Sequence, residues 1–160
     1  VVIGVNTTDS ANRPTSKKVD MKGEQFRKSI YVQVRRSLKL SFLDAFDAPT
    51  MEPNCTKRPV STVAPQALIF MNNLFVVDQS KAMAEKLRKL AKDDLDIQLS
   101  TGWEHAFGHE ITNGELSRSR EFIHKQTELF KERTDKTPEL TALANYCQAL
   151  MSANRFVYVH

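Results

Sequence analysis

From residue 62 onward, apolar and small residues recur every three or four positions, which is the repeat of a helix with one buried face. Val76, Ser80, Met83, Ala84, Leu87 and Leu90/Ala91 form one such stripe, and Leu95, Leu99, Trp103, Ala106 and Phe107 form the next, which Gly108 closes. Leu116, Ser119, Phe122/Ile123, Gln126 and Leu129/Phe130 make a third. It follows Thr112-Asn-Gly-Glu115, a capping box in which hydroxyl and carboxylate each satisfy an amide of the first turn. Thr137-Pro138 opens a last helix with Leu140, Leu143/Ala144, Cys147 and Leu150/Met151 inward. Before these, Thr62 is a candidate N-cap, and Pro65 lies near the first turn of a helix reaching Asn72 or Asn73.

The first part of the chain has a different texture. Residues 1–24 are polar, and Asn6, Asp9, Ser10, Asn12 and Pro14 favour turns, so they read as a linker or extended arm. Phe26, Ile30, Val34 and Leu38 recur every four residues as one helical face, although Ile30–Val34 also alternates as a strand would. Leu40 to Phe46 continues as a short helix or turn. Pro49, Pro53 and Pro59 then interrupt regular structure, because each lacks an amide donor and restricts the residue before it. The expected fold is mainly α: an irregular arm and a Pro-rich loop, then a bundle of about five helices. Residues 25–160 are expected to form a single helical domain, the C-terminal part of a longer protein, since Val1 is neither an initiator Met nor the start of a signal peptide.

Composition narrows the function classes. The chain has 160 residues, 41% of them hydrophobic, enough for one core. Its net charge of +4 is spread along the chain, without the Lys/Arg block and interleaved aromatics of a nucleic-acid reader, so no nucleic-acid partner is expected. No apolar run reaches the ~20 residues of a transmembrane helix. Cys55 and Cys147 allow at most one disulfide, and neither CxxC nor CxxCH occurs, so this segment carries neither a zinc ribbon nor a c-type haem attachment site.

Candidate chemistry concentrates between residues 35 and 73. Arg35, Arg36, Asp44, Asp47 and Arg58 are placed to form a charge cluster that pins the Pro-rich loop or holds an anion. Gln66, Asn72 and Asn73 add neutral hydrogen-bonding groups; Gln66 and Asn73, seven apart, are expected on one helical face, with helix-to-loop backbone bonds as the simpler role. Cys55, beside Lys57 and Arg58, has the cationic neighbours that lower a thiol pKa, but no His is near it in sequence to act as a base. His105 and His109 have helical zinc-ligand spacing, yet Gly108 should break the helix between them. Asp93-Asp94-Leu95-Asp96 lacks the Gly and terminal Glu of a calcium loop and reads as the acidic start of a helix. No catalytic or metal set is complete.

The words RKSIYVQVRRSL, FLDAFDAP, NC followed by Arg58, STVAPQALIFMNN and YCQALMSANRFVYV occur in an order that resembles one family. It is the C-terminal domain of unknown function in large planctomycete-type proteins that also carry a cytochrome-c-like segment. The resemblance covers residues 26–159. It implies a large exported multidomain bacterial protein, in the periplasm or cell envelope, with any haem held elsewhere in the full-length chain. The Pro-rich loop between helices, the linker-like residues 1–24 and the lack of a complete catalytic set read as a non-catalytic module that docks on its upstream domains, on an envelope protein or on polysaccharide. The alternative that the resemblance suggests is one wall of an active site shared with the upstream domains, in polysaccharide breakdown or cytochrome-linked oxidation.

Overall fold

The computed structural model describes residues 7–8, 14–15, 23, 26, 46, 63–92, 94–133 and 135–157. The chain divides into two compact units, Val1–Ser61 and Thr62–His160. In the first, β1 (Thr7–Thr8) pairs antiparallel with β2 (Pro14–Thr15), with Thr7 opposite Thr15 and Thr8 opposite Pro14.

The second unit is helical: α1 (Val63–Asn72), α2 (Leu74–Ala91), α3 (Leu95–Phe107), α4 (Asn113–Glu132), α5 (Pro138–Ser152) and the short α6 (Asn154–Val157). The chain is thus a mainly α protein built on a helical bundle. Most helix starts are written locally. The Asn73 side chain accepts the Phe75 amide at 2.9 Å at the head of α2. Asp94 accepts the amides of Asp96 and Ile97 at 3.0 and 3.1 Å at the head of α3. At α4 the capping box is complete, with both the Thr112 hydroxyl and the Glu115 carboxylate engaged. Helix α5 begins with Pro138 but draws no cap from Thr137; instead Asp135 accepts the Thr137 amide at 3.1 Å and the Thr141 hydroxyl at 2.8 Å. Gly108 ends α3 in the left-handed region, φ 74°, and donates its N–H to the Glu104 carbonyl at 2.8 Å.

Helix α5 is the hub, packing against each of the other five helices. The core joins Ala84 and Leu87 of α2, Leu99 of α3 and Ile123 of α4 to Ala142, Leu143, Ala144, Tyr146, Cys147 and Leu150 of α5. Each fully buried large side chain, Leu87 for instance, stabilises the fold by about 1.5–3 kcal/mol.

Phe26, expected on a helical face in the first unit, is 62% exposed, and two positions of the second unit also depart from the expected stripes. Leu90 is 62% exposed, because α2 makes its last core contact at Leu87. Leu129 is 46% exposed, because the buried face of α4 runs through Ile123, Thr127 and Phe130, at i, i+4 and i+7. Helix α5 buries more than one stripe: Ala142 and Tyr146 are inside as well, as a helix surrounded by neighbours requires.

Candidate functional site

Arg35, Arg36, Asp44, Asp47, Cys55 and Arg58 lie outside the described residues. Gln66, Asn72 and Asn73 sit around the corner between α1 and α2. Gln66 is 95% buried within α1, at 5% exposure. Asn72 is exposed as the last residue of that helix. Asn73 does not continue the α1 face that carries Gln66. Its backbone is extended, φ −78° and ψ 121°, so the chain turns there, and its side-chain oxygen is engaged as the α2 cap.

The corner is fastened from below by Gln148 of α5, whose amide donates to the carbonyls of Phe70 and Met71 at 3.2 and 2.8 Å. These are two of the carbonyls that an α-helix end leaves without an intrahelical donor. Phe70 meets Phe156 of α6 edge to face, with centroids 6.4 Å apart. With that side held, the other side of the corner is open. Leu68 and Met71 of α1 and Leu74 at the start of α2 are 58%, 60% and 74% exposed. The α1 sequence VAPQALIFMN contains no charge, and a helix that is apolar on both sides is suited to burial on both sides. This ledge was not singled out from the sequence, although the uniform apolarity of α1 was its signal.

Among the described residues of the bundle, the nucleophilic and titratable groups do not assemble into a catalytic set. Cys147 is a free, fully buried thiol, and burial pushes its pKa up to about 12. Burial also pushes the Tyr146 phenol up to about 12; its hydroxyl donates to the Leu99 carbonyl at 3.2 Å. Both therefore stay protonated near neutral pH and serve packing. His105 and His109 are both exposed, on opposite sides of the left-handed Gly108, and among the described residues no group of three His, Cys, Asp or Glu is arranged to hold a metal.

The strongest electrostatic feature lies at the head of α4. Glu115 accepts the Thr112 hydroxyl at 2.7 Å and the Thr112 amide at 3.1 Å on one oxygen, and the Arg155 guanidinium at 2.9 Å on the other. The Thr112 hydroxyl, then Arg155, hold its pKa down at about 2. Arg155 lies with its guanidinium carbon 5.9 Å from the centre of the Trp103 ring. Along the bundle side, Arg120 grips Asp96 with two bonds of 2.5 and 2.6 Å, joining α4 to the first turn of α3.

The bundle is the fold of a helical module without an assembled catalytic centre among its described residues. Residues 4–123 match the family PSD1, protein of unknown function (DUF1553), and the chain belongs to that family. The matched stretch takes in the whole run from Arg35 to Asn73 together with α1, α2, α3 and part of α4, while α5 lies beyond it. Neither a curated protein nor a solved structure gives a significant match. Among the described residues, no helix is long and apolar enough to cross a membrane.

Proposed function

We propose that this chain is a non-catalytic helical module of a large exported bacterial protein, and that the α1–α2 corner is the face on which an upstream part of the same protein docks. The observation that carries the proposal is the ledge of Leu68, Met71 and Leu74, each more than half exposed on elements that belong to the family-matched stretch. A row of large apolar side chains in water is unfavourable, and it marks a surface meant to be covered. The bonds from Gln148 to the end of α1 support the same reading, because they brace the ledge from behind and present it as a rigid surface. The planctomycete-type, cytochrome-associated context and the envelope location rest on the resemblance over residues 26–159.

The test expresses this chain and the segment preceding it in the full-length protein as separate polypeptides and measures their association by calorimetry. The double variant Leu68→Glu/Leu74→Glu, at two exposed positions, should melt like the parent and bind at least about tenfold more weakly, as expected for the centre of an interface. Equal affinity for parent and variant would overturn the docking face.

A further inference from the structure

A cleft of about 600 Å³ opens where α3, α4 and α5 meet the last turn of the bundle. Its walls are Trp103 and Phe107 of α3, Phe122 of α4, and Tyr146 and Leu150 of α5. The Trp103 and Phe107 rings meet edge to face at 4.7 Å, making a firm aromatic wall. The size and apolar lining suit a small organic molecule, since such sites commonly run from about 300 to 1,000 Å³. None of these residues takes part in the ledge at the α1–α2 corner.

Three features give the cleft a chemical preference. Of the two guanidinium groups that the described residues place on its rim, Arg155 is committed to Glu115 and to the face of Trp103. Arg118 is exposed and has no ion-pair partner among the described residues. Among the described residues the one carboxylate lining the cleft, Glu115, is paired with Arg155, so the rim they form retains the positive charge of Arg118. The Trp103 Nε1–H, in addition, is buried without an acceptor. A buried donor without a partner is unfavourable, and an acceptor brought into the cleft that Trp103 lines would relieve it.

We infer that this cleft binds a small amphiphilic organic anion. Its apolar body packs against Trp103, Phe122 and Leu150, and its carboxylate or sulfonate head pairs with Arg118. The planar guanidinium fork is suited to grip either head with two parallel bonds.

Trp103 is the sole tryptophan of the chain, so the wall of the cleft reports on its own occupancy. The experiment titrates the full chain with anilinonaphthalene sulfonate, an aromatic anion, and with phenylnaphthylamine, which has the same rings and no charge. Quenching of Trp103 and transfer to the dye are followed in the parent and in two variants at exposed positions, Arg118→Gln and Ala149→Phe. The expected result is saturable one-to-one quenching by the anion, weakened about tenfold in Arg118→Gln, as for a lost hydrogen bond to a charged group. The neutral dye should bind more weakly and be indifferent to Arg118→Gln. Ala149→Phe, which fills the cleft from its rim, should abolish the quenching by both dyes while leaving the melting temperature unchanged. Dye binding that leaves Trp103 unquenched, or that survives Ala149→Phe, would overturn the site. Equal affinity for both dyes would overturn the preference for an anion.

Discussion

Gly102 decides how closely α3 approaches its neighbours. A Cβ added there would lie 3.0 Å from Leu87 Cδ1, 3.6 Å from Tyr146 Cε1 and 3.8 Å from Leu150 Cδ1. Leu87 is fully buried, so it has no free space into which to swing. A glycine inside a helix costs about 1 kcal/mol relative to alanine, and here the close approach of α3 to α2 and α5 offsets that cost. Gly102→Val should therefore destabilise the bundle by about 1–3 kcal/mol through overpacking. Urea unfolding checks it, and an unchanged or raised midpoint would mean that the contact is looser than its geometry indicates.

At the scale of elements, the head of α4 links three pieces of the bundle. Thr112 caps the helix, Glu115 closes the box, and Arg155 reaches in from α6 while lying over Trp103 of α3. Because Glu115 titrates at about 2 in the folded chain, below its ordinary value of 4.5, the folded state binds fewer protons than the unfolded one between those values. Its contribution is thus present above the ordinary carboxylate range and is lost as the pH falls toward 2. Thr112→Ala removes the first cause of the depression. It should cost about 1 kcal/mol at neutral pH as a lost cap. It should also make the loss of stability between pH 5 and pH 2 shallower than in the parent, since less of the Glu115 contribution remains to be lost. Urea melts at both ends of that range measure the difference, and parallel acid limbs for parent and variant would remove Glu115 from the account.

The same scale separates what could be read along the chain from what could not. The bounds of α3 and the start of α4 were legible because Gly108, Thr112 and Glu115 act within a turn of where they stand. The exposure of Leu90 and Leu129 was not legible, because a periodic face says which residues share a side and not where the neighbouring helices end. Tyr146 went unremarked for the complementary reason: α5 is packed on several sides, and a single stripe describes a helix with one neighbour layer. Asn73 carried the right chemistry and the wrong geometry, since a turn between two apolar helices leaves little mark on their periodicity. The cleft beside Trp103 was hidden because its walls come from helices far apart in sequence: Trp103 and Phe107, Ser119 and Phe122, and Leu150 were legible only as parts of three separate stripes, and Glu115 as part of a cap.

At the scale of the whole molecule, the unit Thr62–His160 contains the core residues and the helix caps described above. Expressed without residues 1–61, it should unfold in one cooperative transition with a helical circular-dichroism spectrum. A broad, non-cooperative melt would show that the first unit is needed to complete it. Within this unit the order of the helices has a consequence for biosynthesis. Helix α5 is the last long element to be made, and it supplies most of the core. While the ribosome still holds Pro138–Ser152, the inward faces of α2, α3 and α4 have emerged without the helix on which most of them close. The nascent chain must carry these sticky surfaces until Pro138–Ser152 has emerged, so the unit folds late, nearly all at once, and is exposed until then to holding by chaperones.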